Sequence, residues 1–477
     1  MLPAERRAGL IFTGTLAAVI LTVMFAQLRA GEYTQFFVDF KVPYCAAQTM
    51  LQGADPYRFG SLARCEHTVA VPPYVPALRP NDPTLEPPPI PPYALLPFLA
   101  LALLPFPAAL ALWMAANIGC CVVAAEMLRR ALPTVPSPLI GSAVVVSALP
   151  VGLDLAQFTG IVLLAVTALG IALRERRPVA LGWWLAVTAV QPHVALPAAV
   201  ALFVGGGRTA RIAVLGVGAA LALVSVLLFA RLTVEWLTVV LPGAAAVNLI
   251  DAGQVSFVSL PATLGLPLGP LLTAAKALYA AAIVFGAWAA ARIAARSGRL
   301  EAVPWFGTAI GTLAAPYLHL QQVTLVVPAA LLLVEIGPSR RWAQIALYGL
   351  AVPWSALVMQ SWGPLFALGA GAGAWRGAAP RQLLAVVGTA LLLLAILTAA
   401  AYGFTALRQP EAVIAPVAAG HDTWAPFIVL QAHAFGRATL PARALTWIAG
   451  LLLVALVGRA AFSLQRSPVR AAAEAVG

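Results

Sequence analysis

The 477-residue chain is 61% hydrophobic and only 10% charged, with a formal net charge of +12 and a mean hydropathy of +0.91. Such a composition excludes a soluble globular protein, because too few polar residues remain to cover the surface of a domain this large. It also excludes reading the positive charge as a nucleic-acid footprint: the arginines fall in short clusters between apolar runs, where they mark cytoplasmic loops and meet anionic lipid heads.

Apolar runs at 9–28, 271–290 and 383–401 are each long enough to cross a hydrocarbon core of about 30 Å. Arg6 and Arg7 precede the first and hold the N-terminus inside; that run is too long, and too poorly flanked by small residues, for a cleaved signal peptide. The chain therefore reads as an all-α polytopic membrane protein, one domain over 1–477 with about 11 to 13 spans and no internal repeat.

The stretch 30–92 is the first large non-oily segment and reads as an outer loop. It holds six of the seventeen acidic residues: Glu32, Asp39, Asp55, Glu66, Asp82 and Glu86. Phe40, Tyr44, Ala47 and Leu51 recur at helical spacing within it, which predicts a short helix suited to lying along the membrane surface. Asp39 stands at the start of that helix, either as a reactive carboxylate held at the membrane or as an N-cap. Asp55, before Pro56, reads as a turn residue. Cys45 and Cys65 share this loop, where an exterior compartment permits a disulfide, whereas Cys120 and Cys121 fall within a span as packing residues.

Two apolar pieces follow, at 93–104 and 107–128, and two full crossings there would put Arg129 outside. A re-entrant or surface-lying piece followed by one span is expected instead. Asp154 and Gln157 come at the top of the next hairpin, and Gln191-Pro192-His193 interrupts the following apolar stretch near the outer surface. A second outer loop is placed at 231–268. Tyr317, His319, Gln321 and Gln322 appear where the span leaving the cytoplasm near Arg299 reaches the outside. A third outer loop at 402–441 carries His421 and Asp422, candidates for binding an acceptor, or else ordinary loop residues. The last span, about 442–461, leaves 462–477 as a cytoplasmic tail.

His319, beside Gln321 and Gln322, is suited to hydrogen-bonding a phosphate, with a histidine satisfied in an interfacial turn as the plainer alternative. His193 reads the same way. Asp154 either supports a donor or caps a helix, and Lys276 either snorkels to the surface or pairs with a phosphate. No zinc-like spacing and no nucleotide-type glycine loop is present, so neither a metal nor a cofactor is expected.

The ordered motifs Asp39-Phe40 with Tyr44, Gly53 with Pro56-Tyr57, the proline-rich 86–92, Ala94-Leu95-Leu96, Leu112-Trp113 with Asn117, Ala156-Gln157-Phe158, Gln191-Pro192-His193 and Pro316-Tyr317-Leu318-His319 resemble family 87 glycosyltransferases. The resemblance covers most of 30–335. It implies a GT-C fold and transfer of a sugar, most often mannose and in related branches arabinofuranose, from a polyprenyl-phosphate carrier to a glycolipid or cell-envelope polysaccharide. It further implies a bacterial plasma (inner) membrane location, with the site facing the exterior or periplasm. Asp39 matches the position of the family's base, and His319, Gln322, Lys276, His193, Asp154 and Gln157 become candidates for binding the donor. The sequence departs from the family at Gln191, where a lysine is common, so one positive charge for the donor phosphate is missing. The competing readings are a transporter or flippase of a lipid-linked sugar, which would place its polar residues near the midplane in paired halves, and a membrane scaffold.

Overall fold

A computed structural model describes residues 38–69, 88–145, 152–153, 155–250, 254–259, 261, 266–350 and 440–464. The expected first span, Asp154, the 383–401 run, His421, Asp422 and the tail beyond 464 lie outside the described residues. In chain order the helices are α1 (Val38–Leu51), α2 (Phe59–Val69), a 3-10 turn (Pro92–Leu95), α3 (Leu96–Leu101), α4 (Phe106–Ala131), α5 (Ser137–Val145), α6 (Thr159–Arg174), α7 (Pro178–Thr188) and α8 (Pro192–Gly205). There follow α9 (Gly207–Glu235), a π-helical turn (Trp236–Val240), α10 (Leu241–Ile250), α11 (Leu268–Ser297), α12 (Ala302–Ala314), a second 3-10 turn (Leu320–Val326), α13 (Val327–Ile336), α14 (Arg340–Leu350) and α15 (Leu440–Ser463). The one extended pairing among the described residues is an isolated antiparallel bridge between Gln254 and His319.

Among the described residues, four helical stretches are long and apolar enough to cross a membrane: Phe106–Ala131, Gly207–Ala245, Gly269–Ser297 and Arg443–Ser463. The chain is an all-α polytopic membrane protein. α4 shows how sequence sets such an element. Pro107 occupies its first turn, where a missing N–H costs no helical bond, and Arg129 and Arg130 sit in its last turn against the negative end of the helix dipole. Its 26 residues run about 39 Å at 1.5 Å per residue, enough for one crossing, whereas α3 with 6 residues is far too short to cross.

α12 is the centre of the bundle, and every one of its residues is buried. A helix apolar on all sides has to be surrounded by others, and α6, α8 and α11 enclose it. Gly307 and Gly311 make the approach of α8 possible, since a β-carbon at either would overlap Ala201 or Pro197. Trp305 is also fully buried and donates its indole N–H to the Val166 carbonyl of α6 at 3.0 Å.

α9 is the opposite case. Only Ala210, Ser225 and Glu235 are buried along it, while Leu215, Leu223, Val226, Leu227 and Leu228 are exposed, as suits a helix that faces lipid. The segment read from sequence as an outer loop, 231–268, is helical as far as Ile250. Pro242 is tolerated there because it falls in the first turn of α10.

A second correction concerns α1. The face expected to lie on the membrane surface is covered by protein: Phe40, Tyr44 and Ala47 are buried, and only Leu51 at its end is exposed. Phe98, Phe106 and Trp113 supply the cover, with ring centroids 6.0, 5.6 and 5.8 Å from Phe40. Each such aromatic contact adds about 0.5–1.5 kcal/mol beyond area burial, which favours this packing over lipid. A Cys45–Cys65 disulfide then ties α1 to α2.

At one end of the bundle, arginines read as topology markers form a knot. Arg299 pairs with Glu301 at 2.7 Å and with Glu335, and donates to the Ala131 carbonyl at 2.9 Å; Arg174 reaches Glu301 at 3.4 Å. Burial works against the Arg299 charge, but Glu301 and Glu335 hold the guanidinium above its ordinary range. The ends of α4, α6 and α13 and the start of α12 are thereby pinned together.

Candidate functional site

The residues singled out from sequence gather at the ends of these helices opposite the arginine knot. α6 runs from beside Gln157 to Arg174, α8 from His193 to Gly205, and α12 from Glu301 toward Tyr317.

Asp39 lies in the first turn of α1 and is half-buried. Its backbone N–H donates to the Leu155 carbonyl at 3.2 Å, and its carboxylate accepts a hydrogen bond from the Gln157 side-chain amide. The turn carrying Gln157 is unusual. Ala156 adopts a left-handed conformation, φ 55°, and its carbonyl accepts the Trp113 indole N–H at 2.7 Å, while the Gln157 N–H donates to Gly152 at 2.8 Å. A non-glycine residue at positive φ is held there by its surroundings.

The surroundings are aromatic. Phe40, next to Asp39, and Phe158, next to Gln157, both pack on Trp113, at 5.8 and 5.1 Å, and on Phe98, at 6.0 and 5.4 Å. One rigid group of rings therefore fixes the backbones of both partners in the carboxylate–amide pair.

A second group forms where the Pro192 break meets the turn after α12. The His193 ring meets Tyr317 edge-on at 5.1 Å, and Tyr317 meets His319 edge-on at 4.9 Å. Tyr279 donates to the His193 carbonyl at 2.7 Å. Gln322 closes a capping box with His319, accepting its N–H at 3.1 Å. Gln254 braces the same turn: its side-chain oxygen accepts the Leu318 N–H at 2.8 Å, and the Val255 N–H donates to the Leu318 carbonyl at 3.1 Å.

The Gln157 turn touches this second group, since a β-carbon at Gly152 would stand 3.2 Å from that of Gln321. Among the described residues, buried polar atoms of this layer without a hydrogen-bond partner include Gln191 Oε1, His193 Nε2, Gln321 Nε2 and Ser256 Oγ. Unpartnered buried polar atoms are costly, and they offer hydrogen bonds that a ligand can complete.

Lys276 does not join the layer. It is exposed on α11, one turn before Tyr279, in the position of a snorkelling residue. Asp55 behaves as a turn residue, accepting the Tyr57 N–H at 2.9 Å. It also helps dock the loop on α9, where Arg58 pairs with Glu235 at 2.7 Å and Arg231 with Asp55 at 3.6 Å, around an open pocket of about 510 Å3. That pocket lies beyond the far end of α1 from Asp39. Burial, followed by the Asp55 and Glu235 charges, raises the Tyr57 phenol, which donates to the Ile90 carbonyl at 2.9 Å. Cys121 is buried and unpaired, and Cys120 is partly so, as packing residues.

Gln254 and Tyr279 were not singled out from sequence as site residues. Gln254 and Tyr279 act through hydrogen bonds to backbone, which carry no sequence signal. Among the described residues no three His, Cys, Asp or Glu side chains are grouped to hold a metal ion.

No curated protein and no solved structure matches the chain. A protein-family model does, over residues 91–316, a range that takes in Gln157, Gln191 and His193 and stops short of Asp39 on one side and His319 on the other. The model is that of glycosyltransferase family 87, which residues 91–316 of this helical membrane chain match.

Proposed function

We propose that this glycosyltransferase has a GT-C architecture and transfers mannose from a polyprenyl-phosphate carrier to a hydroxyl of a glycolipid or cell-envelope glycan, at the exterior face of a bacterial plasma membrane. The observation that carries this reading is the Asp39 carboxylate, oriented by Gln157 from a turn that also abuts the histidine and glutamine layer. Asp39 takes the proton from the acceptor hydroxyl as its oxygen attacks the anomeric carbon. The bond from that carbon to the phosphate oxygen breaks, and polyprenyl phosphate leaves with the electron pair. His193, His319, Gln321 and Gln322 meet the departing phosphate with hydrogen-bond donors already in place.

Two features support the exterior assignment. The arginine-rich helix ends lie opposite the site, as the positive-inside bias requires. The Cys45–Cys65 disulfide fits an oxidising compartment. The outward-facing apolar surface of α9 is a lipid contact, consistent with a substrate that arrives through the bilayer.

The reading is tested by supplying membranes with polyprenyl phosphate carrying radiolabelled mannose or arabinofuranose and following label into glycolipid and polymer. Label from the mannose donor is expected. Label only from the arabinofuranose donor would replace the sugar and keep the mechanism, and label from neither would contradict the lipid-linked donor.

A further inference from the structure

The end of α9 away from the arginine knot carries a charged cavity that the transfer reaction leaves unused. Its volume is about 510 Å3, and Arg58 of the loop lines it together with Ala230, Arg231, Val234, Glu235 and Thr238. That size falls within the range of about 300–1,000 Å3 usual for small-ligand sites. Its depth in the membrane follows from α9 itself. Arg211 and Arg231 bracket a stretch in which Ser225 is the one polar side chain. The roughly 20 residues separating them span about 30 Å at 1.5 Å each, the thickness of the hydrocarbon core. Arg231 therefore stands at the level of the lipid headgroups.

We infer that this cavity seats the headgroup of a zwitterionic phospholipid of the phosphatidylethanolamine type, with its phosphate on Arg58 and Arg231 and its ammonium on Glu235. The charges of the cavity are balanced: Arg58 Nη2 lies 2.7 Å from Glu235, and Arg231 Nη2 lies 3.6 Å from Asp55. A balanced site suits a balanced ligand. The two arginine side chains are 54% and 84% exposed, so each guanidinium fork still presents N–H groups outward. Docking of the loop accounts for Asp55 and Glu235, but not for an arginine as exposed as Arg231.

The acids supply the other half of the site. The Glu235 side chain is 7% exposed, and Glu235 Oε1 and Asp55 Oδ2 accept no hydrogen bond among the described residues; their arginine contacts are ion pairs only. Acceptors left so are costly, and an alkylammonium brings three N–H donors. A choline headgroup has none to give, and a purely anionic headgroup would set its charge against both acids. The backbone is irregular on either side of the cavity, at Phe229 (φ −137°, ψ 28°) and in the π-helical turn Trp236–Val240 that carries Thr238. Such π turns are frequent at functional sites. Acyl chains have a surface to follow, since Val234 in the cavity wall and Val226, Leu227 and Leu228 nearer the core are all exposed.

The inference does not depend on the sugar donor proposed above. The purified full chain in detergent is titrated with phosphatidylethanolamine, phosphatidylcholine and phosphatidylglycerol of the same acyl chains, and bound lipid is read by native mass spectrometry. Wild type is expected to bind phosphatidylethanolamine about tenfold more tightly than the other two, the scale of one charge-assisted hydrogen bond. Arg231→Ala, at an exposed position, is expected to fold normally and to weaken phosphatidylethanolamine about tenfold, and Glu235→Gln to erase its advantage over phosphatidylcholine. Tightest binding of phosphatidylglycerol would overturn the inference in favour of an anionic lipid, and equal binding of all three by wild type would leave no headgroup site. Phosphatidylethanolamine binding unchanged in folded Arg231→Ala would also overturn it, by placing the lipid elsewhere. Should Glu235→Gln fail to fold, Arg231→Ala alone decides.

Discussion

Gln157 donates its side-chain amide to the Asp39 carboxylate across 118 residues of sequence. The pair joins the first turn of α1 to the turn before α6, and each partner is followed by a phenylalanine that packs on the same tryptophan. A carboxylate held this way has a fixed orientation, as a general base requires.

Gln157→Leu removes the amide and leaves a partly buried carboxylate short of a donor. Transfer is expected to fall roughly tenfold, with the larger share in kcat, because orientation of the base is what is lost. Steady-state kinetics on the purified variant check this; unchanged kcat would show that Asp39 needs no such partner.

Trp113→Phe keeps a ring in the aromatic group but deletes the indole N–H that holds the Ala156 carbonyl. A loss of about 1 kcal/mol in stability is expected, together with lower transfer. Trp113→Ala also removes the packing of Phe40, Phe98 and Phe158 and is expected to cost about 3–5 kcal/mol. Thermal inactivation in detergent ranks the two variants.

The arginine knot gives a contrasting case. Glu301 is fully buried and meets both Arg299 and Arg174, which are partly exposed, while Arg299 keeps Glu335; Glu301→Gln therefore weakens charge-assisted hydrogen bonds, at a cost of about 1.5–3 kcal/mol. Because the knot lies at the end of the bundle away from Asp39, the variant that does fold is expected to keep its KM for the donor. A raised KM with unchanged thermal stability would show that the two ends are coupled.

Much of this arrangement could be read from the sequence, for identifiable reasons. Asp39, Gln157, His193 and His319 stood out because polar residues in so apolar a chain are costly to keep, and the arginine clusters sorted them to one side. The Pro192 break and the two-piece run at 93–128 were legible because proline acts on local backbone. Other features were hidden. The covered face of α1 was misread as a membrane-surface face, since an apolar stripe does not say whether protein or lipid covers it. The helical course of 231–250 was misread as a loop because Arg231, Glu235 and Trp236 look like loop residues until Glu235 is seen paired with Arg58 and Trp236 donating to the Pro89 carbonyl at 3.1 Å.

The disulfide offers a test of compartment. Maleimide labelling of the denatured, unreduced chain is expected to find two thiols, Cys120 and Cys121, and four after reduction. Four thiols before reduction in protein taken directly from membranes would place the α1–α2 loop in a reducing compartment and contradict the exterior assignment.

The central claim is that Asp39 is the base for glycosyl transfer, and the most direct measurement compares wild type with Asp39→Asn for transfer of labelled mannose from polyprenyl phosphate. Asparagine keeps the shape and can still accept from Gln157, so the variant is expected to fold and to bind polyprenyl phosphate like wild type. Its transfer rate is expected to fall about 100- to 10,000-fold. A folded Asp39→Asn variant that transfers at the wild-type rate would contradict the account.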